Sequence, residues 1–513
     1  MKRLLCASAV VALLLTFWLQ MFLALPKLSA TTDEVAHLPA GYTYWVTRDF
    51  RMNPEHPPLA KLIAALPLLV LKPKLDLSWP EWRDSKEYLL GYGFLYANGA
   101  DRLLFWGRIP MTILAMLGGL IVFLWARDLF GPASGFFALG LFAFSPNLLA
   151  HAMLVTTDVP VAVFMITALY LFWKHGQKPS IWMSIAFGLA TGATMASKFS
   201  GVILPMILIA FAASRILFAE DRQRQFFLET QSLVVAGVTA LFVIEAAYLF
   251  SEPPWTYFHN LLLVNQNHNP NHTFYMLGRF NRGSWYYFPL AFAVKATIPL
   301  LLTTVLAIVH ICANRFIEPR GEMLLLIAIG SYSAALMFGA DNLGVRYLLP
   351  VFLMLFIWCS RTVTVLWSKP VGVALVVILA AWQAQAALRA FPNYIPYFNE
   401  IAGGAVGGIY YLDDSNLDWG QGMKQVADYV HSHHLESVEV LPFSPFDNPR
   451  YYGIEHPHRD DLDTYRMMIS GPPHAGTYIV SAHHMIRMMY IRPEWDPAHA
   501  VDRIGDSMWV FRF

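Results

Sequence analysis

Two carboxylates and an imidazole stand within one short stretch, Thr31-Thr32-Asp33-Glu34-Val35-Ala36-His37. A carboxylate beside a partly desolvated surface can act as general base for a hydroxyl. On a helix Asp33 and His37 share a face at i, i+4, so the same pair could ligate a divalent metal ion. Thr31 and Glu34 have the spacing of a capping box, in which the N-cap hydroxyl and the N3 carboxylate satisfy each other's backbone donors. Glu34 is therefore either a cap or a second catalytic carboxylate.

Asn53-Pro54-Glu55-His56-Pro57-Pro58-Leu59-Ala60-Lys61 follows. Its prolines suit a helix start, where a missing donor costs nothing. They leave His56 unexplained, and a histidine beside a rigid proline bend is well held for contact with a substrate. Asp158, in Thr156-Thr157-Asp158-Val159-Pro160, is either an N-cap ahead of a first-turn proline or a second acidic site residue. Two cations complete the set: Lys198 in Ser197-Lys198-Phe199, and Arg346 followed by Tyr347. Both lie at the ends of apolar segments, where an unpaired charge is costly. Snorkelling, or pairing of Arg346 with Asp341, is one solution. Gripping an anion is the other, Arg with a bidentate fork and Lys as a point charge, and a lipid phosphate suits that depth.

Other groups carry weaker signals. The amide-rich run Asn265 to His272 suits sugar hydroxyls or a solvated turn. Asp414-Ser415-Asn416-Leu417-Asp418 begins like a calcium loop, but Trp419 stands where glycine is needed and Gln425 where the closing acid is needed. Nine of the 17 histidines lie after residue 390 without a zinc spacing.

These residues punctuate a chain that is 56% hydrophobic and 14% charged, where soluble domains carry about 25% charged residues. Residues 1–390 hold 19 Asp/Glu against 28 Lys/Arg, a charge of +9, and residues 391–513 hold 16 against 8, a charge of −8. The chain thus divides into a membrane body, 1–390, and a water-facing C-terminal domain, 391–513. Balanced charge without a basic run argues against nucleic acid. Cys6, Cys312 and Cys359 fall in apolar stretches, so no disulfide framework is implied.

Crossing the hydrocarbon takes roughly 20 helical residues. Eleven apolar runs are candidates: 4–25, 104–125, 133–150, 159–173, 181–196, 200–217, 229–250, 286–312, 322–340, 345–360 and 371–390. The first reads as an uncleaved anchor, being too long for a signal core. With the N-terminus inside, one side collects Lys2, Arg3, Arg127, Lys174, Lys178, Arg215, Arg222, Arg224, Arg315, Arg320, Arg361 and Lys369. The positive-inside rule then makes the N-terminus cytoplasmic and the C-terminal domain extracytoplasmic. Residues 26–103 form a long outer loop, in which Pro57 to Leu71 reads as a helix lying in the interface with Lys61 at its edge. In the tail, Ser437 to Leu441 and Thr477 to Ser481 alternate like strands and Gly422 to His431 has helical spacing, so a small α/β domain is expected.

The order Asp33-Glu34, His56-Pro57-Pro58-Leu59, Thr157-Asp158, Ser197-Lys198 and Arg346-Tyr347 resembles the polyprenyl-phosphate-dependent membrane glycosyltransferases of GT-C type. More narrowly it is similar to the protein O-mannosyltransferase group, glycosyltransferase family 39, whose architecture the lipid A aminoarabinose transferase shares. The tail runs Tyr397 to Glu400 and Asp414 to Gln421 are also similar to bacterial members. The resemblance implies an all-α polytopic body and a polyprenyl-phosphate sugar donor in the outer leaflet of the plasma (inner) membrane. The acceptor would be extracytoplasmic. It further implies Asp33 as base, Asp158 as a second acidic residue, and Lys198 and Arg346 as ligands of the donor phosphate. The multi-repeat lumenal domain of eukaryotic mannosyltransferases is lacking, so the acceptor could be protein, lipid or glycan.

The rival class is a multi-span transporter or lipid-linked sugar flippase, which should place ionisable groups or broken helices near mid-membrane. Glu245 and Lys295 are its candidates. Most unusual charge lies at the outer edge, which favours chemistry at the surface.

Overall fold

The computed structural model describes residues 2–267, 272–314, 316–339, 341–455 and 461–513. Half of the amide-rich run, residues 268–271, therefore lies outside the described residues. Among the described residues eight helices are long and apolar enough to cross a membrane: Leu4–Lys27, Ala100–Phe130, Asp158–Gln177, Phe199–Leu217, Arg222–Ala247, Pro319–Gly339, Val345–Leu366 and Pro370–Ala390. Two bent pairs raise the count to as many as ten, one fewer than the eleven apolar runs of the sequence. Ile181–Ser197 has 17 residues, about 26 Å at 1.5 Å per residue and the lower limit for crossing; it stands outside that count, although it returns the chain to the end of the bundle where Lys198 meets Asp158.

The bends have identifiable causes. Pro132–Ala143 and Pro146–Ala152 meet at 63°, where Ser145 precedes a proline and leaves the helical region (ψ 112). Tyr287–Lys295 turns by 115° into Ile298–Ala313. The carbonyls freed at that break are satisfied: Asn399 Nδ2 donates to Ala293 O and Ala296 O, and Asn147 Nδ2 to Lys295 O. Lys295 Nζ itself donates to Ile395 O and Asn416 O, at 2.8 and 2.7 Å. It is a buried tie between the body and the first part of the tail, which takes it away from any mid-membrane path.

Large side chains such as Phe17, Met21, Trp125, Phe142, Leu169 and Phe356 fill the bundle core. At one end of the bundle, Thr32–Thr47 packs between Leu59–Ala65 and Glu87–Ala97. The approach is close enough to require glycine twice. A Cβ on Gly41 would stand 2.1 Å from Lys61 O, and one on Gly91 would stand 1.8 Å from Val35 O. The helix read as interfacial is instead two short pieces, Leu59–Ala65 and Leu68–Leu71. Lys61 does not lie at its edge but is 1% exposed. Its ammonium donates to Tyr44 Oη, Asn53 O, Asn53 Oδ1 and His56 O, because a buried cation must be surrounded by acceptors. At the other end of the bundle, basic residues meet acids in the pairs Lys174–Asp128, Arg215–Glu229 and Arg361–Glu322.

The tail holds a four-stranded sheet in the order β3-β4-β6-β5, built from β3 (Val438–Leu441), β4 (Thr477–Ser481), β5 (Asp502–Ile504) and β6 (Met508–Arg512). β3 and β4 are parallel, the other pairs antiparallel. Met423–Ser432 packs its Val426 and Val430 with Val440 and Ile479 of the sheet. A separate hairpin joins β1 (Thr273–Met276) to β2 (Arg279–Arg282). The segment before the sheet is seated in the body: Asn416 Oδ1 accepts from Val345 N, its Nδ2 donates to Tyr287 Oη, and Ser415 Oγ donates to Leu343 O.

Candidate functional site

Four charges from distant parts of the chain meet at one end of the bundle. Arg346 Nη1 donates to Asp33 Oδ2 at 2.7 Å and lies 3.6 Å from Asp158 Oδ2. Lys198 Nζ donates to Asp158 Oδ1 at 2.5 Å and sits 4.0 Å above the Tyr347 ring. Asp158 is buried, whereas Asp33 and Lys198 keep 16% and 13% of their side-chain surface open. The cluster is electrically neutral, with two carboxylates facing two cations.

Local structure explains each position. Thr31 is extended (φ −89, ψ 157) and starts the helix Thr32–Thr47 with a capping box. Asp33 thus leaves the first turn, where helix-end donors favour an anion. Asp158 is not the cap expected: Thr157 holds that place, and Asp158 is the first helical residue. Lys198 stands in extended conformation (φ −155, ψ 142) between Ile181–Ser197 and the span beginning at Phe199. Arg346 lies on a short 3-10 turn, Val345–Leu348, that opens the next-to-last span.

Glu34, carried above as a second catalytic carboxylate, is corrected to the capping role. Its two oxygens accept from Thr31 N and Oγ1, Arg108 Nε and Nη2, and Val155 N. Burial opposes its charge, but Arg108 and these donors outweigh burial and hold the carboxyl below its usual range. No oxygen is left for a substrate. Arg108, inside an apolar run, is the residue that sequence reasoning missed here. An arginine within a candidate span was itself the signal.

His37, weighed above as a metal ligand, is held by the backbone. Its Nδ1 meets the Val155 carbonyl at 3.0 Å, and Asp33 is engaged by Arg346. Among the described residues no group of three or more His, Cys, Asp or Glu is placed to hold a metal ion. Glu34 and His37 instead grasp the N–H and C=O of the same residue, Val155, three positions before Asp158. They register the two acidic site residues against each other. His56 packs its ring edge-on to His37 at 5.3 Å. Burial lowers the proton affinity of His37, only partly offset by Asp33, and lowers that of His56 well below the ordinary value, so both are neutral at pH 7. Burial also pulls Lys61, which ties down the loop bearing His56, to about 7.

The tail reaches the site, which sequence reasoning did not foresee. Trp419, weighed only as a misfit in a calcium loop, lies 4.2 Å from Arg346 Cζ at its ring centroid. The acids of that loop are otherwise employed: Asp414 Oδ1 accepts from Ser415 N and Asp418 from Ser481 Oγ, while Asp413, just before the loop, pairs with His483 and Arg487.

Among the described residues, eight to ten candidate spans, a cluster of paired charges at one end of the bundle and a small sheet after residue 390 make up this fold. Residues 101–249 match the family described as dolichyl-phosphate-mannose-protein mannosyltransferase. The whole chain is similar to the crystal structure of ArnT from Cupriavidus metallidurans in the apo state: TM-score 0.52 and 15% identity, over 99% of this chain and 98% of that one. It is equally similar to ArnT from the same organism bound to undecaprenyl phosphate, with TM-score 0.51 and 16% identity over 98% and 97% of the two chains. At such identity the likeness is one of fold. No curated protein sequence matches the chain.

Proposed function

We propose that this protein transfers a sugar from a polyprenyl-phosphate donor to an extracytoplasmic acceptor, a protein, lipid or glycan, at the outer face of the inner membrane. In this reading the N-terminus is cytoplasmic and the C-terminal domain extracytoplasmic. The neutral cluster of Asp33, Arg346, Asp158 and Lys198 carries the reading, because it sets an open carboxylate beside two cations at the end of the membrane bundle. A phosphate entering there can share the cations while Asp33 is released for proton transfer. The ArnT structure with bound undecaprenyl phosphate supports the donor class through the shared fold.

The step is a displacement at the anomeric carbon. Asp33 accepts the proton of the acceptor's nucleophilic group, whose lone pair forms the new bond to carbon. The carbon–oxygen bond to phosphate breaks with its electron pair, and polyprenyl phosphate departs with added negative charge. Lys198 and Arg346 stabilise that charge, Arg346 from a planar fork and Lys198 as a point charge. Asp158 keeps Lys198 ionised and aimed, and His56 and Tyr347 line the substrate side. A single displacement inverts the anomeric configuration.

The test incubates purified protein and its Asp33→Asn variant with polyprenyl-phosphate-linked sugars and membrane extract. Released lipid phosphate and label in the acceptor are followed. Wild-type turnover lost in the variant, with an inverted anomeric signal, is the expected result. Label moving between vesicle leaflets without transfer would instead establish the transporter reading.

A further inference from the structure

We propose that Trp419 is a positioning residue for the donor phosphate, holding the Arg346 guanidinium in the plane from which it meets that phosphate. The proposal rests on the reading that Arg346 binds the donor phosphate. Through Trp419, the C-terminal domain becomes part of the donor site.

Arg346 is pulled toward carboxylates, its Nη1 lying 2.7 Å from Asp33 and 3.6 Å from Asp158. Two rings oppose free rotation: Trp419 at 4.2 Å from Cζ and Tyr347 at 5.2 Å. An aromatic ring over a guanidinium occupies its face and leaves its edge open to acceptors. Arg346 Nε is buried and has no hydrogen-bond partner among the described residues, so one donor of the guanidinium is left unsatisfied. A stacked guanidinium can exchange Asp33 for phosphate by a small in-plane movement. Without the ring it would be free to settle on the two carboxylates.

The ring is held firmly enough for this task. Trp419 is 2% exposed. Its carbonyl accepts from Thr32 N at 3.0 Å and its N–H donates to Gln421 Oε1 at 2.7 Å. Gly420 has φ +95, and a Cβ there would stand 2.4 Å from Asp447 Oδ1. Asp418 Oδ1 accepts from Gly420 N, while its Oδ2 accepts from Ser481 Oγ at the end of β4. Ser29 Oγ donates to Gly420 O, and Ser29 N to Gln421 O. One residue of the tail thus contacts Arg346 and the chain neighbour of Asp33. Its backbone fixes Thr32, the neighbour of Asp33, and its ring fixes Arg346.

The experiment measures binding of undecaprenyl phosphate and of undecaprenol to full-length protein, and takes the ratio as the phosphate-specific part of affinity. Trp419→Ala should lower that ratio about tenfold, the scale of a desolvated cation–π contact, and raise KM for the lipid donor without raising KM for the acceptor. Trp419→Phe should recover most of the loss. In an Arg346→Ala background Trp419→Ala should have no further effect on the ratio. A merely structural role would weaken both lipids alike and leave the ratio unmoved. A wild-type ratio in Trp419→Ala beside a lost one in Arg346→Ala overturns the proposal while leaving the phosphate reading intact. A further fall in the double variant also overturns it, since Trp419 would then act apart from Arg346. A wild-type ratio in Arg346→Ala overturns the underlying reading, and this proposal with it.

Discussion

Glu34 and Arg108 form a fully buried bidentate ion pair, with both nitrogen–oxygen contacts under 3 Å, at the start of the helix that carries Asp33. Arg108 also donates to Leu28 O and Ser29 O, so one guanidinium anchors the chain on both sides of the helix cap. Neighbouring carboxylates therefore have opposite employment, Glu34 sealed inside and Asp33 open. Removing one partner strands a buried charge, which costs about 3–5 kcal/mol. Glu34→Ala should lower the thermal unfolding midpoint sharply, and Glu34→Gln paired with Arg108→Met should recover much of it. An unchanged midpoint in Glu34→Ala would sink this account.

Asp33→Asn separates chemistry from binding. Loss of a general base should slow transfer by about 10²- to 10⁴-fold. Undecaprenyl phosphate should bind the variant at least as well as wild type, because Arg346 is then released from its 2.7 Å partner. Weaker binding in titrations would assign Asp33 to donor recognition instead.

Lys198 and Asp158 should behave as a unit. Lys198→Ala removes a point charge from the phosphate, and Asp158→Asn removes the group that holds Lys198 at 2.5 Å. Each should raise the donor KM, and the double variant should fall short of the product of the two effects, since residues in direct contact couple by about 0.5–3 kcal/mol. Strict additivity in steady-state kinetics would separate their roles.

Burial pushes the Asp418 carboxyl up to about 6 from its ordinary 3.8. Between those values the unfolded chain releases this proton while the folded protein keeps it. Stability therefore falls as pH rises from about 4 to about 6, and no further loss comes from this group above that. Asp418→Asn has no such proton to retain. The variant's unfolding midpoint should gain on wild type across that window and hold a constant offset above pH 7. A constant offset from pH 4 upward would show that Asp418 is not protonated in the folded protein.

Much of this architecture was legible in the residues alone. Apolar runs of spanning length, the reversal of charge after residue 390 and the unusual cations Lys198 and Arg346 follow from composition and order. So does the helix start at Thr31-Thr32-Asp33-Glu34, because a capping box is a local event. The strands Val438–Leu441 and Thr477–Ser481 also follow, because alternation of side chains is local.

Pairing across the chain was decided only by tertiary structure. Sequence offered Asp341 as a partner for Arg346, but the fold supplied Asp33, 313 residues away. Lys61 read as an interfacial charge until the loop at Asn53 and the Tyr44 hydroxyl closed around it. That Ile181–Ser197 carries the chain back to the end of the bundle where Asp158 starts its helix is visible only in the Lys198–Asp158 contact. A charge selects its partner by distance and desolvation in three dimensions, and chain order records neither. Trp419 reaches Arg346 because Asn399, Asn416 and Lys295 seat the tail in the body, and no local pattern around residue 419 encodes that contact.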